Sequence, residues 1–145
     1  RRYYGVQEKQ FHEYYVKADK KAGVTGENML TILECRLDNI VYRMGLASSR
    51  KEARQMVRHA HFTLNGKKVD IPSIICKVGD VVALREKSKA SEKFKMLVET
   101  SETAVIPKWL EIDHANATAK VIALPKRDDI DFPFEEQLIV ELYSK

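Results

Sequence analysis

Residues 48–66, SSRKEARQMVRHAHFTLNG, place four cations at helical spacing. Arg50, Arg54 and Arg58 recur at i, i+4 and i+8, so a helix would align them in one row, with Lys51 and Gln55 alongside. His59 and His61 follow, then Asn65-Gly66, then Lys67 and Lys68. Guanidinium groups take phosphate oxygens in forked geometry and stack on bases, while lysine acts as a point charge. The chemistry within reach is therefore polyanion binding. Arg50, Lys51, Arg54, Arg58, Lys67 and Lys68 are expected on phosphates, and Gln55, His59, His61 and Asn65 on ribose or base edges. A charged helix face is often merely solvated. This one is nearly all of one sign and leads into a second basic pair, which favours RNA over an acidic protein.

Catalytic arrangements are absent from the pattern. His59 and His61 could share a metal on a strand, but no third ligand lies near them in sequence. His12 and His114 are isolated, and no G-x-S-x-G elbow occurs. Asp128, Asp129 and Asp131 lack the glycine and closing glutamate of a calcium loop. Gly23 and Gly26 are not followed by the Lys-Ser/Thr of a nucleotide loop. The sequence predicts no enzyme, no metal, no cofactor and no small-molecule substrate.

The elements that must position the cations follow from periodicity. Ser49 and Glu52 make a capping box, and Ala53, Met56, Val57 and Ala60 form the apolar stripe of the helix it opens. Residues 61–65 alternate as a strand, and Asn65-Gly66 is a hairpin turn that should hold Lys67 and Lys68 beside the arginine row. Strands are expected at 67–71, 74–78 and 81–84, giving a small, mostly antiparallel sheet. Upstream, 27–44 reads as one helix on Leu30, Leu33, Leu37, Ile40, Val41 and Met44, closed by Gly45. The link to Ser49 is short, so these two helices should pack as neighbours. Residues 8–21 read as a helix on Phe11, Tyr14, Tyr15 and Ala18, which the glycines at 23 and 26 end. Downstream, 91–100 reads as a helix, Trp109 in 105–112 as a core anchor, 120–124 as a strand, and 134–145 as a helix after an acidic connection.

Composition sets the outer bounds. The chain has 145 residues, 44% of them hydrophobic, too many for a disordered tail. No apolar run reaches a membrane span and no secretory signal is visible, and because the first residue is Arg1 rather than Met, a fragment or a trimmed chain is expected. Cys35 and Cys76 are far apart in sequence with no CxxC partner, so each reads as a reduced cytosolic thiol. From residue 36 to 68 eight basic residues face two acidic ones; from 111 to 145 four basic residues face eight acidic ones. A polyanion partner is expected at the centre.

Two stretches, RLDNIVYRMGLASSRKEARQMVRHAHFTLNGKKVDIPS and GDVVALREKS, resemble the S-four RNA-binding fold. The opening YYGVQEKQF, the GENML at 26–30 and the closing EQLIVELYSK narrow the likeness to the ribosomal S-four family of the small subunit. The resemblance implies an α+β protein of two lobes: a helical lobe from residues 1–35 plus 125–145, and an RNA-binding lobe at 36–124. It implies a primary binder of small-subunit ribosomal RNA that nucleates its 5′ domain at a helical junction and contributes to decoding accuracy. Its implied partners are that RNA, the neighbouring small-subunit protein S-five and, in some family members, their own messenger RNA, all within the cytoplasmic ribosome and without a membrane. Arg1, Arg2, Tyr3, Tyr4, Lys9, Gln10 and Arg43 would extend the RNA surface from the helical lobe. Two positions depart from the family pattern. Ala60 stands where glycine is common, and Ile74-Ile75-Cys76 where a tyrosine often follows Pro-Ser. An RNA-modification or ribosome-associated factor using the same fold is the alternative, and it would carry a catalytic domain beyond these ends. A DNA-binding helix pair would instead prefer duplex DNA.

Overall fold

The structure, a computed structural model, describes residues 10, 12–14, 16, 25–102 and 106–125. The expected contacts of Arg1, Arg2, Tyr3, Tyr4 and Lys9, the apolar positions Phe11, Tyr15 and Ala18, and the expected helix at 134–145 lie outside these residues. Gln10, residues 12–14 and Val16 are helical.

Five helices follow: α1 (Thr25–Glu34), α2 (Leu37–Arg43), α3 (Arg50–Arg58), α4 (Glu86–Lys89) and α5 (Glu92–Ser101). Five strands, β1 (Phe62–Leu64), β2 (Lys67–Val69), β3 (Val81–Leu84), β4 (Leu110–Asp113) and β5 (Thr118–Val121), form one antiparallel sheet in the order β2-β1-β3-β5-β4. The class is α+β, as the sequence predicts.

The single helix expected at 27–44 is two helices. The chain turns extended at Arg36, with φ −61° and ψ 143°, and Arg36 bridges Ile75. The break is held by backbone bonds to a distant segment: Leu37 N–H to Ile74 O at 2.8 Å, Asp38 N–H to Pro72 O at 3.1 Å, and Cys76 N–H to Cys35 O at 2.8 Å. These bonds satisfy first-turn donors of α2 that a helix start otherwise leaves open. Periodicity conceals the break because Leu37 resumes the apolar phase of Leu30 and Leu33. The same bonds correct the strand expected at 74–78. Its backbone is committed to the α1–α2 junction, so only Ile75 makes a bridge.

Pleating leaves one face of the sheet for the core. Phe62, Val82, Leu84, Leu110, Ala119 and Val121 are buried and share that face by register. Leu37, Ile40, Val41 and Met44 of α2 and its C-cap, Ala53, Met56 and Val57 of α3, and Phe94 of α5 are buried in the same core cluster. Trp109 is 1% exposed, the core anchor expected of it. Ala60 leaves the expected stripe. α3 stops at Arg58, and Ala60 turns left-handed at φ +59°.

Candidate nucleic-acid interface

The helix carrying the arginine row starts at the cap the sequence predicts, but Glu52 turns to Ser48 rather than returning the capping-box bond to Ser49. Ser49 is the N-cap, its hydroxyl accepting from Glu52 N–H at 3.1 Å. The Glu52 carboxylate accepts from the Ser48 hydroxyl at 2.8 Å. The buried stripe Ala53, Met56 and Val57 faces the core and turns the basic face outward. Lys51, Arg54, Gln55, Arg58 and His59 then line one polar concavity of about 420 Å³.

Geometry divides the basic residues into two sets. In the first, the side chain is bonded inside the protein. Arg36 and Asp38, 3% and 2% exposed, make a bidentate pair: Nε donates to Oδ1 at 3.0 Å and Nη2 to Oδ2 at 2.9 Å. Arg54 Nε reaches the same Oδ2 at 3.4 Å. Arg43 Nε donates to Glu34 Oε1 at 2.6 Å, with Glu34 1% exposed. Arg50 Nε donates to Asn39 Oδ1 at 2.7 Å, and its guanidinium carbon stands 4.3 Å from the Tyr42 ring centroid. Asn39 Nδ2 in turn donates to Glu34 O at 2.8 Å, so one buried amide links the end of α1 to the start of α3. Gln10 also belongs here. Its Oε1 accepts from Arg36 Nη1 at 3.1 Å, and the same nitrogen donates to Tyr14 Oη at 3.1 Å.

In the second set, Lys51, Arg58, Lys67 and Lys68 are exposed and have no carboxylate partner among the described residues. Exposed Gln55 and His59 lie beside Lys51 and Arg58. These side chains are available to an outside anion. Sequence spacing put Arg50, Arg54 and Arg58 in one row, but the structure bonds Arg50 to Asn39 and Arg54 to Asp38, with Arg54 still lining the concavity, and leaves Arg58 exposed.

The hairpin modifies the expected picture further. Asn65 at φ +52° and Gly66 at φ +85° form the two-residue turn, and both positive φ values identify it as type I′. The Asn65 amide is used within the protein: Oδ1 accepts from Val81 N–H at 2.8 Å and Nδ2 donates to Asp80 Oδ1 at 3.0 Å. In β2, Lys67 pairs with Leu64 and Lys68 with Thr63, so the pleat sends the two lysines to opposite faces of the sheet. Lys67 shares the face that carries Phe62, and Lys68 the other; they do not both stand beside the α3 row. β2 is an edge strand, where lysines also discourage pairing with a foreign edge.

His61 is half-buried. Its Nδ1 is hydrogen-bonded with Ser88 Oγ at 2.8 Å, and its ring centroid lies 4.7 Å from that of Phe94. Burial, then the charges of His59, Lys93 and Arg85, hold its imidazole below the usual histidine range. Arg85 was missed in the sequence. Its Nη1 donates to Ala60 O at 2.9 Å, and the available signal was a cation directly after the β3 strand pattern. The cysteines, distant in sequence, meet at the α1–α2 junction through the Cys76–Cys35 backbone bond, each 2% exposed. Burial pushes the Cys76 thiol up to about 12. Among the described residues no group of three or more His, Cys, Asp or Glu side chains is gathered to hold a metal, and no described helix is long and apolar enough to cross a membrane.

Comparison with known proteins places these features in a family context. Residues 35–82 match the S4 domain and residues 1–34 the ribosomal protein S4/S9 N-terminal domain. Over all 145 residues the chain is 62% identical to small ribosomal subunit protein uS4 of Acetivibrio thermocellus, spanning 70% of that protein's length. It is 60% identical to the uS4 protein of Clostridioides difficile and 54% to that of Pelotomaculum thermopropionicum, again over its full length and 70% of each relative.

Proposed function

The chain belongs to the uS4 family of small ribosomal subunit proteins, and from that membership we propose that it binds ribosomal RNA through the outward basic set of α3 and the β1–β2 hairpin. It is a structural constituent of the small subunit, residing in the ribosome, and not an enzyme. The binding surface consists of Lys51, Gln55, Arg58 and His59 around the concavity, with Lys67 and Lys68 at the sheet edge.

One observation carries this reading. Arg36, Arg43 and Arg54 each face a carboxylate, whereas Lys51, Arg58, Lys67 and Lys68 have none among the described residues. A polyanion supplies the missing counter-charge, and phosphate is the polyanion of RNA. A rigid helix-and-hairpin surface suits recognition of RNA shape, because the deep major groove of A-form RNA excludes side chains.

In this role the protein nucleates the 5′ domain of small-subunit RNA, contacts protein S-five, supports decoding accuracy and works in the cytoplasm. Its own messenger RNA is a further candidate ligand for the same surface. The two-lobed division into 1–35 plus 125–145 and 36–124 belongs to the same proposal. It is supported by one long-range bond: Thr31 Oγ1 donates to Pro125 O at 3.1 Å, returning the far end of the described chain to α1.

Filter binding to a transcript of the small-subunit RNA 5′ domain tests the reading. Lys51→Gln with Arg58→Gln is expected to weaken binding and to reduce the slope of log affinity against log salt by about 0.7–0.9 per lost phosphate contact. An unchanged slope removes these side chains from the RNA interface.

A further inference from the structure

We propose that the corner between α3 and β1 carries a second phosphate-binding patch, formed by His59, His61, Arg85 and Lys93, which takes another backbone phosphate of the RNA that α3 binds. The inference rests on the ribosomal RNA reading above and adds to it residues on α5 and at the end of β3, outside the helix and hairpin.

The corner is built by one backbone reversal. Ala60, at φ +59°, carries the chain from the C-cap residue His59 to His61 and brings the two imidazoles together edge to face, with centroids 6.2 Å apart. Arg85 is fastened to this turn by its Nη1 bond to Ala60 O at 2.9 Å and by its backbone N–H to His61 O at 2.8 Å. The other guanidinium donors of Arg85 have no partner among the described residues. Lys93, exposed, precedes Phe94 in α5, and Phe94 packs on the His61 ring at 4.7 Å. Side chains from α3, the β3 end and α5 thus converge on a single histidine.

The electrostatics of the corner lack a counter-ion. The charged groups that act on His61 are His59 from α3, Lys93 from α5 and Arg85 from the end of β3. α4 contributes the uncharged Ser88. No carboxylate is among them, and neither Arg85 nor Lys93 is in a salt bridge among the described residues. A backbone phosphodiester fits the combination of fixed guanidinium, mobile ammonium and two imidazoles. The patch is continuous with the first site, since His59 also lines the α3 concavity.

A proton is linked to this phosphate. With the patch empty, burial and the surrounding cations keep His61 neutral at pH values where an ordinary histidine begins to charge. A bound phosphate reverses the sign of the local field and raises His61, so binding takes up a proton. Affinity therefore increases on acidification through the histidine range.

The test uses the 145-residue chain and a transcript of the small-subunit RNA 5′ domain. Lys93→Gln is expected to lower the salt slope by about 0.7–0.9 and to weaken binding several-fold, with an unchanged melting temperature, because Lys93 is exposed. His61→Gln is expected to flatten the gain in affinity on acidification. If Lys93→Gln and Arg85→Gln, both folded, keep the wild-type slope while Lys51→Gln with Arg58→Gln loses part of it, the patch is overturned and the ribosomal RNA reading stands. If the wild-type chain itself shows no salt-dependent binding, both are overturned.

Discussion

Ala60 holds a left-handed backbone where α3 gives way to β1, at φ +59°. For a residue with a Cβ this conformation costs about 1–2 kcal/mol, part of which glycine's greater freedom in the unfolded chain offsets. Ala60→Gly should therefore raise unfolding stability by about 1 kcal/mol, read by urea titration; a loss of stability would mean that the Ala60 methyl is worth more than its strain. Cys76 makes a second prediction at this scale. Its folded thiol is pushed up to about 12 from an ordinary value of 9.0, because burial disfavours the thiolate. A group raised in the folded state gives its full stabilisation below its unfolded value and loses it as pH rises toward the folded value. Stability should then fall by about 1.4 kcal/mol per pH unit above pH 9, and Cys76→Ala should remove that component from the difference between the two pH profiles. Alanine preserves burial without a titrating group, so parallel profiles for the two proteins would refute the assignment.

The basic face is only as rigid as α3, and α3 is a short helix of nine residues. Isolated helices of this length are marginal, so packing and capping must sustain it. Packing comes from Met56, Val57 and Ala53 against the core, and capping from the Ser49 hydroxyl on Glu52 N–H. Ser49→Ala should cost about 1 kcal/mol in chemical denaturation. It should also weaken RNA binding without changing the salt slope, since no cation is removed. A changed slope would show that the cap also sets which phosphates are touched. The α1–α2 break acts at the same scale. Had residues 27–44 formed one continuous helix, Arg36 could not have paired with Ile75, and Asp38 would have lost its bond to Pro72. The break thus ties the 72–76 segment to the helix that supplies the carboxylate for Arg54.

Across the whole molecule, basic residues do two separate jobs, and sequence does not label which residue does which. Arg43 lies between Glu34 and solvent at 12% exposure, while Arg58 is exposed. Arg43→Met should destabilise the fold by about 3 kcal/mol by taking a cation from the buried Glu34 carboxylate, and should leave the RNA salt slope unchanged in the fraction that remains folded. Arg58→Met should do the reverse. Equilibrium unfolding and filter binding on both variants separate the two roles, and a slope change in Arg43→Met would return that residue to the interface.

Much was legible in the residues themselves: the Ser49 cap, the Asn65-Gly66 turn, the strand at 81–84, the helix on Phe94 and the buried Trp109. Each of these is a local signal, set by the conformational preferences of a few neighbours or by strict period. The motif's cations were legible as a group for the same reason, because i, i+4 spacing fixes a shared helix face. What only the tertiary structure decided involved partners far apart in the chain. Asp38 and Asn39 draw Arg54 and Arg50 inward, the 72–76 segment splits the 27–44 helix, and β1 pairing sends Lys67 and Lys68 to opposite faces. A buried carboxylate captures a cation wherever the fold delivers it, because leaving either charge unpaired out of water costs several kcal/mol. Sequence spacing establishes that the cations share a face; the buried partners, Asp38 and Asn39, decide which of them remain for RNA.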